Sequence, residues 1–195
     1  MPVFASGLGL VLFDLTIFVW VASEIFGAAL VPAIRRRGAT GVKRDRGSRA
    51  LITVSILISI LIAFYFGYGA VGALPDSVFY LGISFMFFGV FVRQYAIAIL
   101  GRFFSLSVQI VEDHKVVDRG PYRLVRHPSY TGILITFIGL GLAVQSLGAL
   151  LVLVLFFGIS FGYRMHVEER TLLSALGQDY ASYMKRTKRL IPYLI

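Results

Sequence analysis

Long apolar segments alternate with short polar ones along the whole chain. Apolar runs occupy about 7–34, 51–73 and 78–100, and a fourth extends over about 129–163. At 1.5 Å per residue, each of the first three is long enough to cross a hydrocarbon layer of about 30 Å. The fourth is too long for one span, and polar or small residues interrupt it at Gln145, Ser146 and Gly148. The pattern therefore predicts an all-α, polytopic membrane protein with about five transmembrane helices, the last two forming a hairpin.

Charge is segregated into three polar blocks, which gives the predicted helices an orientation. The chain carries 19 Lys+Arg against 10 Asp+Glu, and all the cations except Arg93 lie in 35–49, 101–127 or 164–189. With five spans the three blocks share one side with the C-terminus, and the bias of Lys and Arg predicts that this side is cytosolic. A hydrophobic content of 57% argues against a soluble domain, and the absence of Cys excludes disulfides and thiolate metal sites.

Three ionisable residues fall inside the predicted spans, where charge is costly and often functional. They are Asp14, Glu24 and Arg93. Arg93 lies near the cytosolic end of its span, so we expect its side chain to snorkel toward water. We expect Asp14 to lie near a wet surface or to be neutral. Glu24 has no partner nearby in the sequence and is the one most worth testing.

Candidate chemistry is concentrated in 114–130 and in the tail that follows the last apolar run. The first segment mixes His, Tyr, Arg and Pro at the membrane boundary. An extended backbone there could read an adenine edge, Tyr rings could stack on it, and His could bond a ribose, so an adenosine-bearing cofactor is indicated. Downstream, Arg164 and Glu168 share one helix face in the weaker orientation for an ion pair. Spacing alone leaves both a solvated pair and a ligand-binding pair open.

The ordered motifs of the C-terminal half resemble those of the isoprenylcysteine carboxyl methyltransferases. The resemblance covers about 101–195 and rests on Gly120-Pro121-Tyr122, Arg126-His127-Pro128-Ser129-Tyr130, Arg164 with Glu168-Glu169, and Arg189-Leu190-Ile191-Pro192. The apolar runs and the charge pattern predict three transmembrane helices with a basic cytosolic loop at 35–49 in residues 1–100, and the resemblance implies a methyltransferase region in 101–195. That region would comprise a cofactor loop (101–128), the helical hairpin (129–163) and a catalytic tail (164–195) that forms an amphipathic helix.

The resemblance also implies a cofactor, a substrate and the residues that meet them. S-adenosyl-L-methionine would be held by Gln109, His114, Lys115, Val116, Val117, Tyr122, His127, Pro128, Ser129, Tyr130 and Glu168. Arg164 would meet the substrate, and Arg164 and Glu168 would be the catalytic pair. The acceptor would be an isoprenylated cysteine or a similar lipid-tailed molecule that enters from the membrane. Membrane lipids are the other expected partners, and neither nucleic acid nor a metal ion is expected.

Other functions remain compatible with the same motifs. One is a phospholipid or small-lipid N-methyltransferase of the same superfamily, from which the sequence barely distinguishes the carboxyl enzymes. A second is an NADPH-dependent sterol-type membrane reductase, whose C-terminal motifs are similar. A chain of 195 residues is short for that group, and no basic pocket for a 2'-phosphate stands out. The third is a non-catalytic membrane protein that keeps the fold.

Overall fold

The computed structural model of the protein describes residues 2–30, 41–43, 47–105, 109–111 and 115–192. Five helices dominate these residues: α1 Gly7–Glu24, α2 Ser48–Tyr68, α3 Ser77–Leu100, α4 Pro128–Ala143 and α5 Leu147–Arg186. A π-helical stretch, Ile25–Leu30, continues α1. Two short strands, β1 Gly41–Lys43 and β2 Gln109–Val111, pair antiparallel. The all-α class is confirmed, with this strand pair as a small addition.

Four of the helices in the described residues are long and apolar enough to cross a membrane. They are Gly7–Gly27, Ser48–Tyr68, Ser77–Leu100 and Leu147–Arg186. Helix α4 is also apolar but has 16 residues, about 24 Å of helix. A turn lies between two helices where the sequence predicted one, because α4 ends at Ala143 and α5 begins at Leu147. Ser146 caps α5 by accepting a hydrogen bond at Oγ from the Ala149 amide, 3.1 Å away.

Helices α3 and α4 pack against each other at unusually short range because glycines line their contact. A Cβ on Gly132 of α4 would lie 2.7 Å from the backbone nitrogen of Arg93 on α3. A Cβ on Gly139, two turns further along, would lie 2.6 Å from the backbone nitrogen of Met86. Such distances leave no room for a side chain. The two helices therefore form a closely packed pair that fixes the start of α4 relative to α3.

Helix α5 differs from the expectation of a span that ends near residue 163 and a separate amphipathic helix. It runs without a break from Leu147 to Leu176, about 45 Å of helix, which is about one and a half times the thickness of a hydrocarbon layer. No Pro or Gly falls between Arg164 and Leu176 to interrupt it, and the break comes only at Gly177, where φ is 53°. The apolar part, 147–163, can span a membrane, so the charged part from Arg164 onward extends beyond it.

Short elements lie between α3 and α4 in the described residues. A 3-10 turn, Gly101–Phe103, follows α3 directly, and β2 begins at Gln109. After α5 the chain returns toward the loop before α4. The Arg126 amide donates to the Lys188 carbonyl at 2.7 Å, and the His127 amide donates to the Arg189 carbonyl at 3.0 Å. The return places the C-terminal motif beside the motif that opens α4.

Candidate active site

A pocket lies where the loop before α4, the first turn of α4 and the charged part of α5 meet. The space between its walls, counting the part that is open to solvent, is about 860 Å³. Its wall combines cationic, carboxylate, phenolic and aliphatic side chains. The lining residues are Leu100, Phe103, Phe104, Ser105, Lys115, Val116, Val117, Tyr122, Arg126, His127, Ser129, Tyr130, Arg164, Glu168, Leu172, Leu176, Tyr180 and Tyr183.

Most of the candidate residues from the sequence come together at this pocket. Those that line it are Lys115, Val116, Val117, Tyr122, His127, Ser129, Tyr130, Arg164 and Glu168. Pro128 is buried and occupies the first position of α4, where its missing N–H costs nothing, so it shapes the turn and does not line the pocket. Gln109 is placed by its backbone in β2. His114 lies outside the described residues.

Arg164 and Glu168 take part in a hydrogen-bond network that reaches other helices. The phenol of Tyr130 on α4 donates to Glu168 Oε2 at 2.8 Å, and Arg164 Nε donates to the same phenol oxygen at 3.2 Å. Arg164 Nη1 also donates to Ser48 Oγ at the start of α2, 2.9 Å away. Arg164 is only 2% exposed, and its Nε lies 3.9 Å from Glu168 Oε2. The solvated surface pair that the spacing allowed is therefore excluded.

Glu169, next along the helix, joins three basic side chains behind the pocket wall. Its carboxylate accepts from Arg126 Nε at 2.9 Å and from Arg189 Nη2 at 2.8 Å, and its Oε1 lies 3.2 Å from His127 Nε2. Burial opposes the charged carboxylate, but hydrogen bonds from His127, Arg189 and Arg126 outweigh it and lower the pKa of Glu169 to about 2. Glu169 therefore ties the His127 ring to the returning C-terminal segment.

Aromatic side chains form a large part of the pocket wall. The His127 and Tyr130 rings lie nearly parallel, with centroids 5.4 Å apart and an interplanar angle of 13°. The Tyr183 phenol donates to the Tyr122 carbonyl at 2.8 Å, which joins the end of α5 to the loop. Burial raises the pKa of Tyr122 well above its usual range, so its phenol is neutral at physiological pH. Neutral phenols and ring faces suit an aromatic base and a cationic group.

Several pocket residues were missing from the sequence-based assignment. They are Leu100, Phe103, Phe104, Ser105, Arg126, Leu172, Leu176, Tyr180 and Tyr183. A signal did exist for the last four, because their three-to-four-residue spacing predicts the apolar face of an amphipathic helix. The structure places these four side chains on the pocket wall beside the loop before α4.

The hydrogen-bonding and charged groups of the pocket fit a ligand that carries both an aromatic base and polar groups. The segment 115–118 has no helical or strand structure, so its backbone groups are available to read a base edge. His127 and the phenols offer hydrogen bonds, and Glu168, with 28% of its side chain exposed, offers a negative charge. Among the described residues, no group of three or more His, Cys, Asp or Glu is arranged to hold a metal ion.

Several known proteins are similar in sequence to about half or more of this chain. The model of the isoprenylcysteine carboxyl methyltransferase (ICMT) family matches residues 81–174. A probable protein-S-isoprenylcysteine O-methyltransferase of Oryza sativa subsp. indica is 29% identical over 119 residues, which are 60% of this chain and 62% of the relative. The cobalt-zinc-cadmium resistance protein CzcN of Cupriavidus metallidurans is 34% identical over 100 residues, which are 51% of this chain and 46% of that protein.

A solved structure supports the same grouping. The eukaryotic intramembrane Ras methyltransferase ICMT superposes with a TM-score of 0.61 at 27% identity, covering 73% of this chain and 52% of the other. This chain thus spans less than two thirds of the length of these proteins. The resemblance seen in the motifs is confirmed. The family match begins within α3, further upstream than the motifs alone indicated.

Proposed function

We propose, from the match of residues 81–174 to the model of the isoprenylcysteine carboxyl methyltransferase family, that the chain is a membrane carboxyl O-methyltransferase. Its methyl donor is S-adenosyl-L-methionine, and its acceptor is the α-carboxylate of an isoprenylated cysteine or a similar lipid-tailed molecule. The observation that carries the proposal is the placement of Arg164. This arginine is buried on the pocket wall and held by Tyr130 beside Glu168.

The pocket residues suit the proposed donor. The backbone of 115–117 and the Tyr122 ring would hold the adenine, while His127, Ser129 and Tyr130 would bond the ribose and the amino-acid part. Glu168 would meet a positively charged group of the donor. When bound, S-adenosyl-L-methionine would supply a methyl group already activated on a sulfonium. The residues of this chain therefore have to bind and orient the methyl donor and the acceptor, and to exclude water.

The acceptor needs no strong base, because an α-carboxyl group has a pKa of about 3.5 and is ionised at pH 7. Catalysis then depends on holding the carboxylate in line with the methyl group. A guanidinium is suited to this task, since its planar N–H groups can bond both oxygens of a carboxylate. Tyr130 and Ser48 restrain Arg164 from two other helices, so its orientation is set before the acceptor arrives.

The apolar helices suit a lipid-tailed acceptor. Many large apolar side chains of α1, α2 and α3 are exposed, as expected for surfaces solvated by lipid. A lipid tail could reach the pocket laterally between spans while its polar head stays near Arg164. In this proposal the pocket and the C-terminus lie on the cytosolic side, which the bias of Lys and Arg in the three basic blocks supports.

A methyl-transfer assay tests the proposed acceptor. The purified protein is supplied with methyl-labelled S-adenosyl-L-methionine and either farnesylcysteine or phosphatidylethanolamine in mixed micelles. We expect label on farnesylcysteine, released as methanol by mild base because a methyl ester is formed. Base-stable label on phosphatidylethanolamine would instead identify an N-methyltransferase. Transfer to neither acceptor would contradict the proposed acceptor class.

A further inference from the structure

Glu24 and Arg93, two ionisable residues of the membrane-spanning helices, form an ion pair. Arg93 Nη2 donates to Glu24 Oε2 at 2.7 Å, and Arg93 Nε donates to Glu24 Oε1. The Arg93 side chain is 7% exposed and that of Glu24 30%. Arg93 thus does not snorkel toward water as the sequence suggested. It turns inward, and Glu24 at the end of α1 is its counter-ion.

The other side of the Arg93 guanidinium reaches the pocket wall. Arg93 Nη1 donates to Ser129 Oγ at 2.8 Å. Ser129 is the second residue of α4, is 5% exposed and lines the pocket. The Arg93 guanidinium therefore connects the Glu24 carboxylate at the end of α1 with the Ser129 hydroxyl in the pocket wall.

The backbones around this connection have little freedom to shift. Gly132 brings α4 so close to Arg93 that a Cβ would lie 2.7 Å from the Arg93 backbone nitrogen. On the other side, Gln94 Nε2 donates to the Ser23 carbonyl at 3.0 Å, which holds the end of α1 against α3. The direction of the guanidinium consequently depends on its side-chain partners more than on helix movement.

We propose that Glu24 is a positioning residue for the pocket, acting through Arg93 on Ser129. The carboxylate balances and orients the guanidinium, so that Nη1 bonds the Ser129 hydroxyl. A hydroxyl that accepts from arginine keeps its own proton to donate, so Ser129 acts as a hydrogen-bond donor to the bound ligand. This inference rests on the proposed function, in which Ser129 contacts the methyl donor. Without the negative charge, Arg93 would be an uncompensated buried cation and would turn away from Ser129.

Calorimetric titration of the detergent-purified full chain with S-adenosylhomocysteine tests the inference. We expect Glu24→Gln to weaken the affinity about tenfold, because Ser129 loses its charged partner. The matched control is Asp14→Asn, which makes the same acid-to-amide replacement at an exposed residue of the same helix and should leave the dissociation constant within about twofold. Glu24→Asp keeps the charge and should recover most of the affinity.

A double-mutant cycle with Ser129→Ala shows whether Glu24 acts through Ser129. We expect Glu24→Gln/Ser129→Ala to bind no more weakly than Ser129→Ala alone. Additive losses would overturn the inference, as would wild-type affinity in Glu24→Gln. A lower binding stoichiometry at an unchanged dissociation constant would also overturn it, because it shows loss of folded protein only. If the wild type itself does not bind S-adenosylhomocysteine, the proposed function fails, and the inference fails with it.

Discussion

Arg164 and Tyr130 meet on the pocket wall, where Arg164 Nε donates to the Tyr130 phenol oxygen at 3.2 Å across 34 positions of sequence. The same phenol donates to Glu168, so one hydroxyl orients both members of the candidate catalytic pair. Tyr130 in turn belongs to the first turn of α4, which close packing fixes against α3. The guanidinium is therefore pre-organised by the fold, as a site that works mainly by positioning requires.

Replacing Arg164 should lower the turnover number while leaving the binding of the methyl donor nearly unchanged. We expect Arg164→Ala to lower kcat with farnesylcysteine by about 100-fold, because the acceptor carboxylate loses its oriented partner. The dissociation constant for S-adenosylhomocysteine should change by less than about threefold. The control is Arg170→Ala, since Arg170 lies on the same helix with an exposed side chain. A loss of S-adenosylhomocysteine affinity as large as the loss of kcat would place Arg164 in the donor site instead.

Glu169 should contribute a pH-dependent part of the stability. Its pKa is lowered to about 2 from an ordinary 4.5, so its contribution is present above pH 4.5 and is lost as the pH falls to about 2. The lowered pKa corresponds to about 3 kcal/mol. Thermal unfolding in detergent should therefore show a smaller decrease in Tm between pH 5 and pH 3 for Glu169→Gln than for the wild type.

A matched control for Glu169 is Asp118→Asn, which removes an exposed carboxylate paired with Arg186. Exposed pairs of this kind contribute little, so its Tm should follow the wild type at every pH. Equal pH dependence in Glu169→Gln and the wild type would contradict the assigned role of the buried carboxylate.

The glycine contact between α3 and α4 should be intolerant of even one methyl group. In Gly132→Ala the new Cβ would meet the Arg93 backbone 2.7 Å away, so we expect about 1–3 kcal/mol of destabilisation. Gly158→Ala on α5 is the matched control, since a Cβ there would have no atom within 4 Å apart from the nearby backbone of its own helix. Thermal unfolding of the two variants measures the difference. A Tm for Gly132→Ala equal to that of Gly158→Ala would show that the two helices can separate without cost.

The sequence is informative wherever a feature depends on neighbouring residues. The hairpin follows from the polar interruption at Gln145 and Ser146, and the common face of Arg164 and Glu168 follows from helical periodicity. The Glu24–Arg93 pair could not be predicted in this way, because its partners lie 69 positions apart on two helices whose contact no local pattern reveals. The basic cluster around Glu169 depends on a C-terminal segment that turns back toward α4, and no local pattern predicts that return.

Calorimetric titration with S-adenosylhomocysteine and, separately, with NADPH tests the central claim most directly. We expect S-adenosylhomocysteine to bind to the wild type and NADPH not to bind. His127→Ala should lower the affinity for S-adenosylhomocysteine by about tenfold or more, because the ring lines the pocket and stacks on Tyr130. Binding of NADPH alone would contradict the account and indicate a reductase. Equal affinity for S-adenosylhomocysteine in the wild type and His127→Ala would contradict the placement of the donor in this pocket.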